Sequence, residues 1–274
     1  MQVSFASPTR AVGRILVYTA VTLPLMGVQL AAVALRRPLA RRLPRWYHQR
    51  CLRLLGVRVV PHGAPTTAEP ALFVANHASY LDIPVLGSQV EGSFVAKAEV
   101  ARWPFFGWLA KLQRTVFIDR SRRATTTQRD EMSRRLEAGE RLILFPEGTS
   151  GDGNRVLPFK SALLSVAERR PNDRPLTVQP VSVAYTKLDG TPLGRYLRPF
   201  VAWYGDMDIA EHIWTMLGLG IITVEVTYHA PVTIDDVGSR KAMSRHCHEV
   251  VARGVAESIM GRQADIDDSL KKAA

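Results

Sequence analysis

Residues 71–86 read ALFVANHASYLDIPVL, and the change of character in the middle of this stretch decides the fold class. Residues 71–74 are an unbroken apolar run of strand type, Asn76-His77 breaks it, and a short helical pattern starts near Ser79. His77 is thereby placed in the turn that ends a strand, where open α/β sheets gather their ligands. Asp82 follows five residues later. Its carboxylate is near enough to take one imidazole N–H and leave the other ring nitrogen as a base. The same residues have a plain architectural reading, with Ser79 as helix N-cap and Asp82 in the first turn. On this stretch alone both readings stand.

Working outward, strands are expected at 57–60, 92–96, 116–118, 142–145, 178–184 (beginning around Pro180) and 223–227. Helical patterns fall at 125–138, 161–169, 214–222 and 240–260. Strands alternating with helices predict an α/β fold built on a mainly parallel sheet flanked by helices. Two further strands end as abruptly as the first. One runs into Asp119-Arg120 and the other into Pro146-Glu147-Gly148-Thr149. Turns of this kind on one sheet edge can bring together a base, a fixed cation, and a carboxylate beside flexible backbone amides, a set suited to acyl transfer. Ordinary fates exist for each charge: Arg120 pairing with Asp119 or Asp152, and Glu147 capping the next turn.

Charge is distributed unevenly. The net charge of +11 comes from the N-terminus, where ten arginines precede the first acidic residue, Glu69. They adjoin residues 15–35, an uncharged run long enough to reach across a bilayer core of about 30 Å. Pro24 and Gly27 near its centre permit a kink or two shorter helices lying in one leaflet. A cleaved signal peptide, with 32–34 as the cleavage-like triplet, and a buried core helix are the competing readings. Arginines retained beside an apolar run favour a membrane anchor with the rest of the chain facing the cytoplasm. They speak for membrane phosphates rather than nucleic acid as counter-ions. Residues 1–58 are therefore read as a membrane-associated helical region, 59–262 as the catalytic domain and 263–274 as a loose tail. Cys51 and Cys247 have no metal-type spacing, so neither a zinc site nor a disulfide framework is expected.

Three segments carry a resemblance. They are Asn76-His77-Ala78-Ser79-Tyr80-Leu81-Asp82, Phe117-Ile118-Asp119-Arg120 and Phe145-Pro146-Glu147-Gly148-Thr149. Their order and spacing resemble the four-motif glycerolipid acyltransferases, the PlsC-like lysophosphatidate acyltransferases. Val178-Gln179-Pro180-Val181 stands where the fourth motif belongs, and Lys97, Pro104 and Gly107 match the lead-in to the second. The resemblance covers about residues 72–184.

It implies transfer of a fatty acyl group from a thioester, acyl carrier protein or coenzyme A, to a lysolipid hydroxyl at the inner membrane. No cofactor and no metal are implied. By the same resemblance His77 is the general base and Asp82 its partner. Arg120, Glu147, Gly148, Thr149, Lys97 and Arg155 bind substrate, with backbone N–H groups near Gly148 and Thr149 as oxyanion donors.

One departure stands out. Lysophosphatidate enzymes usually place an arginine after the motif's threonine, but here Ser150-Gly151-Asp152-Gly153 follows. With Trp203-Tyr204-Gly205-Asp206-Met207, this loop is similar to relatives that acylate lyso-ornithine lipid; both acceptors remain expected. A serine hydrolase using Ser150 would want a Gly-x-Ser-x-Gly elbow, which the sequence lacks. A non-catalytic membrane-binding protein would leave the three strand-end motifs without a purpose.

Overall fold

A computed structural model describes residues 6–118 and 125–262. The expectations placed on Asp119, Arg120 and the tail 263–274 lie outside the described residues.

The sheet runs in the order β1 (Val57–His62), β8 (Ile222–Tyr228), β6 (Thr177–Leu188), β2 (Ala71–Ala75), β5 (Arg141–Leu144), β3 (Ser93–Lys97), β4 (Val116–Ile118). A short β7 (Thr191–Pro192) folds back onto β6. Strands β2 to β6 are mutually parallel, as expected. The reversal comes at β8, which pairs antiparallel with β6 and carries β1 in parallel on its far side.

Every residue of β2 is buried because helices cover both faces of the sheet, which is why its sequence is apolar without alternation. The two faces still separate by the strand period of two. Ala71, Phe73 and Ala75 join one core cluster, and Leu72 and Val74 join the other. On the first face lie α1 (Pro8–Ala34), α2 (Leu39–Leu55), α3 (Asp82–Gln89) and α6 (Ile209–Gly218). On the second lie α5 (Thr125–Glu137), a 3-10 helix over Ser161–Glu168, and the closing α8 (Arg240–Ile259).

Three expectations need correction. The apolar residues 214–222 are not one helix: α6 ends at Gly218 and β8 begins at Ile222, with Gly220 in the break. Ser79 makes the expected box contacts, its hydroxyl accepting the Leu81 N–H (3.3 Å) and its N–H donating to Asp82 (2.9 Å), but the regular helix starts only at Asp82 with Leu81 in the cap position, and the Ser79 hydroxyl also donates to the Val201 carbonyl (2.7 Å). Pro24 does not divide the N-terminal apolar segment, because α1 is one continuous helix of 27 residues.

Both ends of α1 are fastened to the rest of the chain. Near its start, the Arg14 guanidinium donates to the carbonyls of Leu217 (2.9 Å) and Leu219 (2.8 Å), adding partners for the C-terminal carbonyls of α6 to the backbone bond from the Leu219 N–H to Met216. Toward its end, Gln29 Nε2 donates to Ala40 (3.0 Å) and to Leu112 (2.8 Å), the last residue of α4 (Phe106–Leu112). The outward side of α1 stays apolar and exposed at Val12, Leu16, Leu23 and Leu30. Its inward side, α2, α3 and α4 enclose an apolar cavity of about 300 Å³ lined by, among others, Tyr18, Leu25, Tyr47, Leu81, Phe94 and Trp103. That volume lies at the low end of the range of about 300–1,000 Å³ for ligand pockets.

Candidate active site

The turn between β2 and α3 is held from several directions. Asn76 continues the sheet with its side chain. Its Nδ2 donates to the Val183 carbonyl (2.9 Å) and its Oδ1 accepts the Val183 N–H (2.8 Å), so β6 stays paired one residue beyond the end of β2. The Ala78 carbonyl accepts the Trp203 N–H (2.9 Å), and the His77 carbonyl accepts the Gly151 N–H (2.8 Å). Loop segments from two other parts of the chain thus fix the backbone around His77.

His77 Nδ1 lies 2.7 Å from Asp82 Oδ2. The same oxygen accepts the N–H groups of Ala78 (2.7 Å) and Ser79 (2.9 Å), while Oδ1 accepts the Tyr185 hydroxyl (2.7 Å). Four donors hold this buried carboxylate rotationally fixed, and its acceptor character places the imidazole proton on Nδ1. Nε2 is then the basic nitrogen, and no described residue hydrogen-bonds to it. The imidazole keeps 23 % of its side-chain surface accessible, against 0 % for Asp82. It stacks on Phe145 (4.2 Å between centroids, 17°), which stacks in turn near Phe94 (6.1 Å), a wall of the apolar cavity. The aromatic series connects the open imidazole to the space that could receive a hydrocarbon chain.

Glu147 is brought to the same turn, but by its backbone contacts. One carboxyl oxygen accepts the His77 N–H (2.8 Å) and the other the Leu157 N–H (3.0 Å). Gly148 follows with φ of 68°, a left-handed turn that a residue with a Cβ resists, and its N–H closes that turn on the Phe145 carbonyl (3.1 Å). Thr149 is exposed just beyond, and Arg155 is exposed on the loop after it. Lys97 ends β3 beside Ile118, the last residue of β4. The structure therefore brings His77, Asp82 and Glu147 into one hydrogen-bonded group. Gly148 and Thr149 adjoin it, while Lys97 stands at the end of β3 and Arg155 on the loop after Thr149.

Burial pushes the Glu147 carboxyl up to about 8, with the Asp82 charge adding to the rise and the two N–H donors opposing it. The folded chain therefore keeps a proton that the unfolded chain releases near the ordinary glutamate value of about 4.3. Stability from this group is complete below the unfolded value and is lost as pH rises through about 8. Inside that window the loss is about 1.4 kcal/mol per pH unit. Denaturant titrations across the window, compared with Glu147→Gln, should show the variant's slope flatter by one proton. Equal slopes would mean that Glu147 ionises as an exposed carboxyl does.

Sequence reasoning missed Tyr185, Asn76 and Arg198. Arg198 is buried, donates to Asn154 Oδ1 and to the Leu193 carbonyl (2.7 Å), and supports the loop carrying Asp152 from below. Only Asn76 lay within a recognised motif, where it was given no role of its own. The other two act across long sequence separations and carry no local signal. Among the described residues, no group of three or more His, Cys, Asp or Glu side chains is placed to hold a metal ion.

Fold and site together define an enzyme of the acyl-transfer class. The sequence model described as Acyltransferase matches residues 56–184. A lyso-ornithine lipid O-acyltransferase of Brucella abortus is 42 % identical over 248 residues, covering 89 % of this chain and 93 % of its own. One of Rhizobium meliloti is 40 % identical, covering 88 % and 84 % respectively. The crystal structure of the 1-acyl-sn-glycerophosphate acyltransferase PlsC from Thermotoga maritima superposes with a TM-score of 0.67 at 26 % identity, covering 91 % of this chain and 94 % of its own. The chain belongs to the acyltransferase family.

Proposed function

We propose that the protein transfers a fatty acyl group from a thioester, carried by acyl carrier protein or coenzyme A, to the hydroxyl of lyso-ornithine lipid. The observation that carries this reading is the imidazole held by buried Asp82 with its second nitrogen open, one aromatic stack away from an apolar cavity. His77 Nε2 takes the hydroxyl proton as the oxygen attacks the thioester carbon. Asp82 stabilises the imidazolium, and the N–H of Thr149, with no described partner, is the oxyanion donor. The tetrahedral intermediate then expels the thiolate, which receives the proton from His77. Transfer is direct: Ser150 makes no hydrogen bond to His77 among the described residues, and both cysteines are buried.

The acceptor assignment rests on the loop after Thr149. Gly151 is tied to the His77 carbonyl, so Asp152 lies next to the catalytic turn, where lysophosphatidate enzymes usually read phosphate with a cation. Burial raises the Asp152 carboxyl, but hydrogen bonds from Asn154 and the Arg155 charge outweigh it and hold the group below its ordinary value. An anion here repels a phosphomonoester and suits the free amino group of an ornithine head, with Arg155 for its carboxylate. The names of the two bacterial relatives point the same way.

The membrane seat is part of the proposal. A helix held at both ends by one packed unit cannot cross a bilayer without dragging the sheet along, so α1 lies in one leaflet. Exposed Trp46 and Trp108, with Arg50 and Lys111 over their rings at 5.1 Å each, suit the headgroup layer of the cytoplasmic face. Offering lyso-ornithine lipid and lysophosphatidate side by side with one acyl donor should give at least about tenfold higher kcat/KM for the former, a difference of about 1.4 kcal/mol. The opposite preference would overturn the acceptor assignment.

A further inference from the structure

Tyr185 sits where the sheet's longest strand overhangs its neighbour. The paired register of β2 and β6 ends at Ala75 and Val181, and Tyr185 lies four residues further along β6. Val181, Val183 and Tyr185 alternate onto the face that carries α3, and the Asn76 clasp on Val183 keeps the overhang straight above the turn. Directly after Tyr185 the pairing with β8 slips by one residue between Tyr185 and Lys187. Such a bulge bends a strand and re-aims side chains, and bulges recur beside active sites. The result is a fully buried phenol whose hydroxyl donates to Asp82 Oδ1 at 2.7 Å.

The load on the Asp82 carboxylate is uneven. Among the described residues Oδ2 takes three donors and Oδ1 takes the tyrosine alone, and the carboxylate is fully buried. We propose that Tyr185 is a positioning residue of acyl transfer, whose hydroxyl fixes the Asp82 carboxylate and moderates how strongly it holds the imidazolium proton of His77. Without that donor the charge on Asp82 is shared less, the protonated imidazole is held more tightly, and less of the enzyme carries a free base. Burial, then the Asp82 charge, push the Tyr185 phenol well above its ordinary range, so it stays a donor throughout the working pH range.

This inference rests on His77 acting as the base. The titratable groups around the His77 turn include Asp82 and Glu147, which bond to it, with Tyr185 and Tyr80 behind Asp82; burial raises both phenols, so they stay neutral. Glu147 titrates at about 8 and so affects the alkaline side of the profile.

The test uses the full-length protein in detergent or vesicles, with Tyr185→Phe and with 3-fluorotyrosine at 185, a stronger donor of nearly the same shape. Tyr185→Phe should lower kcat about tenfold with KM unchanged within about twofold, and move the acid side of kcat/KM up by about half to one pH unit. The fluorinated residue should move it down by a few tenths. Lost activity with an unmoved acid side would reduce Tyr185 to a packing role and overturn the inference. Full activity in Tyr185→Phe would do the same. If Tyr185→Phe does not fold, an unmoved profile in the fluorinated protein decides against it. His77→Ala, run in parallel, separates the two readings: residual full activity there removes the base itself, whereas a dead His77→Ala beside a normal Tyr185→Phe removes only the tyrosine's role.

Discussion

Replacing His77 by alanine should lower the acyl-transfer rate about 10³-fold, inside the span of about 10²–10⁴ that a positioned general base contributes. The turn should survive the change. Its shape is set by main-chain bonds, with the His77 N–H on Glu147, the His77 carbonyl on Gly151, and the Ala78 carbonyl on Trp203, none of which involves the ring. The cavity walls are likewise untouched, so KM for the acyl donor should stay within about threefold, the pattern of an interaction made only in the transition state. Steady-state kinetics with a labelled thioester, alongside a thermal melt, checks both halves. Turnover near the native rate would exclude His77 as the base, and a collapsed melt would show that the stack on Phe145 also carries the fold.

Much of this arrangement was legible because the chemistry sits where strands stop. Residues 71–74 could be read as a central strand because a parallel strand covered on both faces is apolar without alternation, and 142–145 followed the same rule, with the strand itself running from Arg141 to Leu144. His77, Asp82 and Glu147 then fall at strand ends by counting. What could not be counted was anything settled by pairing between distant segments. The reversal at β8 depends on which edge of β6 is free, and the hydroxyl on Asp82 comes from a residue 103 positions away. β6 itself is longer than its apolar core suggests, since Asn76 and β8 satisfy the backbone of the overhang. The helix at 214–222 was misplaced because hydropathy continues through Gly218 and Gly220, although the backbone changes from helix to strand there. The N-terminal segment was read by length as an anchor, and its contacts with Leu112, Leu217 and Leu219 could not be foreseen from hydropathy.

The second large effect concerns Asp82, where two substitutions should behave differently for a reason visible in the hydrogen bonds. Asp82→Ala strips the acceptor from two backbone N–H groups, a tyrosine hydroxyl and an imidazole, in a space closed to water. Each orphaned buried donor costs about 1–3 kcal/mol, and the missing side chain adds a void, so this variant should fail to accumulate as folded protein. Asp82→Asn has a solution that keeps the fold. The N–H groups of Ala78 and Ser79 both point at the Oδ2 position, so the amide oxygen must go there, since the opposite rotamer would set NH₂ against two donors. In that orientation the oxygen still accepts the Nδ1 proton of His77, and the amide N–H is offered to Tyr185, whose hydroxyl can turn round and accept it. The tautomer is preserved while the negative charge is lost. The imidazolium formed during proton transfer then has a neutral partner, and kcat should fall about 10²–10³-fold with little change in thermal stability. Expression, melting temperature and single-turnover rate of the two variants give the comparison directly. An asparagine variant as unstable as the alanine one would mean that the charge, rather than the four-donor geometry, holds the turn. One with native turnover would mean that Asp82 serves only to fold it.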